Sequence, residues 1–443
     1  MNRVNRLSSH ICGVSHNDCI GEMENREVDE QVENDASNVN RDESSPRRAS
    51  KHPVLKHRFV RHTLKIVFAD STAGDERYGG NGNVAILEGE LILPSTTSST
   101  VLIFMHPSGI QNLLPMPVAM ARAGLHVITC ASRYPNNDSC LVMEKVVIDL
   151  GAVVRHAREK LRYKNVVLAG WSGGGSLSSF YQAQAEHPTV TLTPAGDRVS
   201  LLDANLIPAD ALLILAAHIS RAKIFTEWLD PAVLDEKDPS KRERQLDLYD
   251  PLNPNQPPYT LEYIERYRKA QINRNRRITK WVKERLKEIE ANQGCRDWRQ
   301  SKRDECFNVY CTQADIRRLD TRIDPNGRSP TPLNELAAEN HSPVGLARFT
   351  TLRSWLSQWS YDESNADGPK SLASVSVPVL VLANESDHLV PTCHPLEMYN
   401  AVPHTDKKFL FIKDATHYYF GQTDLMAGAI KDIIAWLHEH GFE

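Results

Sequence analysis

The chain has 443 residues, of which 41% are hydrophobic and 24% charged, and a formal net charge of −4. This length allows one large domain with an insertion, or two domains. The slightly acidic balance argues against a nucleic-acid partner, and no run of about 18 apolar residues offers a membrane span.

Residues 1–56 are polar, rich in Asn, Ser, Asp, Glu and Arg, and read as a disordered or extended tail. The opening stretch MNRVNRLSSHICGVSHNDCI lacks the apolar core of a secretory signal. The closing HGFE is neither a peroxisomal nor an endoplasmic-reticulum retention signal. The eight cysteines (Cys12, Cys19, Cys130, Cys140, Cys295, Cys306, Cys311 and Cys393) are scattered, with no C-x-x-C pair. They read as reduced thiols of a cytoplasmic protein. Cys295, Cys306 and Cys311 lack paired metal-ligand spacing, and no metal is expected.

Apolar runs begin at Phe59. His62–Phe68 and Val84–Leu93 read as paired strands near a sheet edge, joined through the turn-rich Gly74–Asn83. Val101–Met105 is apolar throughout, as in a strand buried on both faces, and it ends in His106-Pro107-Ser108-Gly109. Leu114–Ala123 reads as a helix closed by Gly124, Leu125–Cys130 as a strand, and Leu141–Tyr163 as a helix with Val142, Val146, Leu150, Val153 and Val154 on one stripe.

Val166–Ala169 is another buried strand, and it leads into Gly170-Trp171-Ser172-Gly173-Gly174, followed by a small-residue helix to about Glu186. This is G-x-S-x-G in the strand–turn–helix setting of a nucleophile elbow. The turn holds the serine in strained backbone angles, with its hydroxyl above the sheet and helix N–H groups beside it. An idle serine on a glycine-rich turn is the alternative. A phosphate loop fits worse, because no Lys follows the glycines.

Ala211–Ala217 is a further buried strand. Strands thus alternate with helices from Val101 to Ala217, as in a parallel sheet covered on both faces. The alternation resumes with strands at Val377–Ala383 and Lys408–Ile412 and a helix at Asp424–His440. Residues 219–373 differ in composition, with many Arg, Lys, Asp, Pro and aromatic residues. They read as a largely helical insertion with a long helix at Tyr263–Glu290 and another helix at Leu346–Trp359. The first carries Ile278, Trp281, Val282, Leu286 and Ile289 on one stripe. Most of the aromatic rings are expected in the insertion's own core, with a few left to line a pocket. Arg274-Asn275-Arg276-Arg277 reads as a solvated face.

A serine hydroxyl needs a base, and the base an orienting carboxylate, in the chain order Ser, Asp/Glu, His. Both partners belong in loops at the carboxyl ends of later strands. Asp387, in Asn384-Glu385-Ser386-Asp387-His388, is the candidate acid, with Glu385 and Asp230 as competitors. His417, in Asp414-Ala415-Thr416-His417-Tyr418-Tyr419, is the candidate base; His388, His394 and His404 are rivals in the preceding strand-to-helix region.

Together these motifs resemble the α/β-hydrolase superfamily over about His57–His218 and Ser374–Glu443. The resemblance implies a mostly parallel, doubly wound α/β sheet divided as 1–56 tail, 57–218 first core part, 219–373 cap and 374–443 second core part. It implies catalysis by Ser172, Asp387 and His417. The oxyanion hole would be formed by the N–H groups of Gly173 and Ser108, with Gly109 the alternative to Ser108. Substrate would be touched by Trp171, His106 and Gly109. The chain departs from the family's more frequent residues in having His106-Pro107 for His-Gly, and Asn384 and Thr416 where glycines are common.

The expected activity is cleavage of a carboxylic ester of a bulky, partly apolar small molecule, without cofactor. Amide, lactone, thioester or C–C substrates, and acyl transfer, use the same residues. A ligand-binding protein on this fold is the non-enzymatic alternative. A homo-oligomer is compatible with the sequence.

Overall fold

Strands that are apolar at every position need cover on both faces. In the computed structural model, which describes residues 54–70, 84–291, 304–324, 327–342 and 348–443, such strands form the centre of one eight-stranded sheet. In chain order the strands are β1 (Phe59–Ala69), β2 (Val84–Pro94), β3 (Thr100–His106), β4 (His126–Ala131), β5 (Asn165–Trp171), β6 (Ala211–Leu215), β7 (Cys306–Asn308), β8 (Phe349–Thr351), β9 (Val379–Asn384) and β10 (Lys407–Ile412). The large sheet has the order β1-β2-β4-β3-β5-β6-β9-β10. β3, β5, β6 and β9 are adjacent and buried at nearly every position. β2 runs antiparallel to β1 and β4, and the other pairings are parallel. The expected edge pair is therefore β1 and β2, while the turn Gly74–Asn83 lies outside the described residues.

Helices α1 (Pro115–Arg122), α2 (Met143–Glu159) and α3 (Gly173–Glu186) follow β3, β4 and β5. Gly124, at φ +102°, follows α1 as expected of a closing glycine. Between β6 and β9 stand α4 (Arg221–Trp228), α5 (Leu261–Ala291), α6 (Leu333–His341), α7 (Leu352–Ser354), which runs into a π-helical turn (Trp355–Trp359), and α8 (Gly368–Leu372). α9 (Cys393–Ala401) and α10 (Thr423–Glu439) complete the chain. One face of the sheet packs with α2, α3 and Met398 of α9, and the other with α1 and α10.

The segment between β6 and β9 leaves and rejoins the sheet at one place, where the Gly368 N–H donates to the Ile219 carbonyl at 2.7 Å. It has apolar clusters of its own. Phe225, Ile278, Val282, Trp355 and Trp359 form one, and Tyr259, Tyr263, Tyr267 and Leu336 another. These rings are core, as expected.

Three details differ from the sequence reading. The helix expected over Leu346–Trp359 starts outside the described residues and is a strand at β8, because Phe349–Thr351 pairs with Cys306–Asn308. Trp281 stands at the rim, its ring edge-on to Phe307 at 5.0 Å, while Ile278, Val282, Leu286 and Ile289 are buried. Arg274 is buried rather than solvated, because Glu236 pairs with it and the Asp230 and Tyr310 carbonyls accept from it. The Asn275 side chain is buried too, bonded to the Thr226 hydroxyl and the Trp359 carbonyl. The tail reading for residues 1–53, and Cys12, Cys19 and Cys295, lie outside the described residues. No helix among the described residues is long and apolar enough to cross a membrane.

Candidate active site

β5 ends at the centre of the sheet, held between β3 and β6. The next residue, Ser172, has φ +52° and ψ −121°, and α3 starts at Gly173. A positive φ is unfavourable for a serine, by on the order of 1–3 kcal/mol. The flanking structure enforces it. The Ser172 N–H donates to the Leu215 carbonyl at 3.0 Å. Strand and helix approach so closely that a Cβ on Gly170 would collide with the Gly174 carbonyl, and one on Gly175 with Ala217.

Asp387 lies just past β9 and His417 just past β10, at the same end of the sheet. The side chains are buried, and His417 Nδ1 lies 2.6 Å from Asp387 Oδ2. The other carboxylate oxygen accepts from the Leu389 and Val390 N–H groups at 2.8 and 2.9 Å, which fixes the acid's orientation. Nδ1 is thus committed to the carboxylate, and Nε2 of His417 is buried with no partner among the described residues. The ring of Trp171, the residue before Ser172, stands edge-on to the His417 ring at 5.8 Å.

The two loops are laced together. The Ser386 N–H donates to the Ala415 carbonyl at 2.8 Å, and Asn384 Nδ2 to the Thr416 carbonyl at 3.0 Å. The Tyr419 hydroxyl donates to Asn384 Oδ1 at 2.6 Å. Gln422 Oε1 accepts from the Thr416 N–H and hydroxyl, both at 2.9 Å. Asn384, Tyr419 and Gln422 therefore hold the histidine loop, and the sequence reading missed that function. One signal was available: Asn384 is polar at the end of an otherwise apolar strand, where a buried amide needs partners.

The competitors have other partners. Asp230 is bound to Arg242 and Asn340 in the segment between β6 and β9. Glu385 accepts from the Asp414 N–H at 2.9 Å. His394 faces Glu227 at 3.3 Å, and both ring nitrogens of His404 are buried without partners among the described residues.

The loop after β3 is arranged differently from expectation. The Ser108 N–H, expected in the oxyanion hole, donates to His106 Nδ1 at 3.1 Å. The alternative, the Gly109 N–H, donates to the same nitrogen at 2.7 Å. His106-Pro107 turns the ring back over its own loop, so both N–H groups are occupied. His106 is half-buried beside Gly173. Burial first, then the charges of Arg221 and His417, push its pKa down to about 3. Trp171, expected against substrate, is buried among apolar residues and packs on His417 and Tyr419.

Two residues that the sequence reading did not single out border this place. His218 follows β6, with Nδ1 buried and unpartnered and its pKa held well below the usual range, chiefly by burial. Arg221, at the start of α4, is buried and bonded to Asp138 and Gln358 at 2.8 and 2.9 Å.

No protein-family model and no curated protein matches the chain. Solved structures similar to it include DcsB in complex with its substrate analogue (12% identity, 86% of this chain and 99% of that one, TM-score 0.47). The α/β-hydrolase GrgF from Penicillium sp. sh18 is similar at 11% identity, over 86% and 99% of the two chains, with a TM-score of 0.45. A thermophilic esterase from Thermogutta terrifontis is similar at 14% identity, over 85% and 98%, with a TM-score of 0.40. The strand order, with β2 antiparallel in an otherwise parallel sheet, and the helices on both faces define the fold class. The chain is a mostly parallel, doubly wound α/β sheet of the α/β-hydrolase type.

Proposed function

We propose that this protein is a cytoplasmic serine hydrolase acting on a carboxylic ester or related acyl bond of a small molecule. Ser172 Oγ attacks the carbonyl carbon and gives its proton to His417 Nε2. His417 then delivers that proton to the leaving group, and water resolves the acyl-enzyme by the same route. Asp387 holds His417 in the Nδ1–H tautomer and stabilises the imidazolium. The Gly173 N–H, at the start of α3, donates to the oxyanion. Residues 219–373 act as a cap, and their aromatic content favours a bulky, partly apolar acyl or alcohol group.

The observation that carries this reading is the His417 imidazole. One nitrogen is bound to a fixed, buried carboxylate and the other is left free, at the end of the sheet where Ser172 is held in a strained turn. A buried nitrogen without a partner is costly, and what distinguishes this one from those of His218 and His404 is the Asp387 carboxylate bound to the other nitrogen of the same ring.

The test is labelling with a fluorophosphonate, read by intact-protein and peptide mass spectrometry. The expected result is one adduct on Ser172, absent in Ser172→Ala and much slower in His417→Ala. Equal labelling of Ser172→Ala would refute the assignment of the nucleophile.

A further inference from the structure

An oxyanion hole works because its donors are fixed before charge develops. Gly173 supplies one N–H. The loop after β3 is the natural source of a second, yet the Ser108 and Gly109 N–H groups both point at His106 Nδ1. Those two bonds decide the state of the imidazole. A ring nitrogen that accepts from backbone N–H groups carries no proton, so the ring proton sits on Nε2. Nε2 has no partner among the described residues. It borders the first oxyanion donor: a Cβ built on Gly173 would stand 2.6 Å from it.

We propose that His106 is the second oxyanion donor, through its Nε2–H, and that the Ser108 and Gly109 N–H groups serve the reaction by holding the ring in that tautomer. The proposal rests on the serine-hydrolase reading of the same site. In the addition step the Ser172 Oγ–carbon bond forms, the carbonyl π pair moves to oxygen, and the Oγ proton goes to His417. His106 keeps its own proton throughout and gives the new oxyanion a hydrogen bond.

The environment suits such a donor. With its pKa pushed down to about 3, the ring stays neutral at working pH. Glycine at 173 follows from the same contact, since any side chain there would displace the imidazole. His218 Nε2 also approaches this position, at 3.3 Å from the same Cβ site. Its Nδ1 is buried with no partner among the described residues, so none of them fixes its tautomer as the loop N–H groups fix that of His106.

The test uses the full chain with nitrogen-15-labelled histidine and the fluorophosphonate probe, whose phosphonyl oxygen takes the oxyanion position. His106 is expected as the Nε2–H tautomer from about pH 5 to pH 9, with its Nε2–H proton moving downfield in the adduct. An Nδ1–H tautomer, or an adduct that leaves the Nε2–H unmoved, overturns the proposal alone. No adduct on the wild type overturns the hydrolase reading and this proposal with it.

His106→Asn supplies a second readout. The amide oxygen can still accept the loop N–H groups, but no donor remains at the Nε2 position. Phosphonylation rate and kcat are expected to fall on the order of 10²–10³-fold, with KM changed by less than about threefold. A folded His106→Asn that reacts at the wild-type rate overturns the proposal. If the variant does not fold, the wild-type resonances decide.

Discussion

At the centre of the sheet Leu168, Leu212 and Val379 lie on neighbouring strands in register, all fully buried. In the segment between β6 and β9, one of the largest fully buried side chains is Arg274. It is one of several such groups: Asp230 is bound by Arg242 and Asn340, and Arg317 by Asp315 and Glu227. The sheet buries area, which is tolerant of detail. The segment buries charges, which demand a partner for each group. An apolar sheet makes a stiff platform for a reaction. A charge-laced segment is sensitive to the loss of any one partner, and its shape is set by those pairings.

The largest expected effect separates chemistry from stability. Asp387→Asn leaves the sheet intact and removes the acceptor that fixes the His417 tautomer. The rate of phosphonylation at Ser172 is expected to fall on the order of 10⁴-fold, measured by stopped-time labelling, with the far-ultraviolet dichroism unchanged. A loss below about tenfold would mean that the carboxylate has no part in activating the serine.

Next is Arg274→Ala. It leaves Glu236 and the Asp230 and Tyr310 carbonyls without the guanidinium. Glu236 is 25% exposed and keeps Arg277 at 3.1 Å, so the cost falls on the buried carbonyls left without a donor, about 1–3 kcal/mol for each, read from denaturant unfolding. Hydrogen exchange sharpens the comparison: protection is expected to fall around Asp230, Cys311 and Arg274 before it falls in β5 or β6. Uniform loss across the sheet would contradict the distinction between the two regions.

The same distinction explains what was legible in the sequence. The strands β3, β5, β6 and β9 announced themselves as continuous apolar runs, and the elbow as glycines around a serine. The hydrogen-bonded Asp387 and His417 are polar residues just beyond such strands, a position visible in the sequence. The segment between β6 and β9 gave only its aromatic clusters and its long helix. Arg274, Arg276 and Arg277 look alike in sequence, and Glu236 pairs with both Arg274 and Arg277; what separates the buried guanidinium is its enclosure by the Asp230 and Tyr310 carbonyls. The β3 loop was misread for a similar reason. Whether Ser108 N–H faces a substrate or a ring nitrogen depends on the His106 rotamer, which no spacing encodes.

A smaller effect comes from pH. His106, depressed to about 3 in the folded protein, takes up a proton near 6.5 when unfolded. Between those values the unfolded chain binds the extra proton, so stability rises with pH and falls on acidification below about 6.5. At pH 5 this residue alone is expected to cost about 2 kcal/mol relative to neutral pH. The difference between wild type and His106→Asn in denaturant midpoint at the two pH values measures it. A wild-type protein no more acid-sensitive than the variant would show that His106 is solvated.

The smallest effect completes the contrast within one stretch of α5. Arg276 makes a two-point ion pair with Asp362 at 2.7 and 3.0 Å, as well formed as many buried pairs. Both side chains are about half exposed, at 55% and 47%. Water and salt screen this pair, and ordering two long side chains offsets part of its attraction, so exposed pairs contribute about 0–1 kcal/mol. Arg276→Ala is therefore expected to shift stability by less than about 1 kcal/mol, and by less still at high salt. Its neighbour two residues earlier, with similar distances to its carboxylate, costs several times more. The ratio isolates burial from geometry: equal losses for Arg274→Ala and Arg276→Ala would mean that hydrogen-bond count, not desolvation, sets the strength of these pairs.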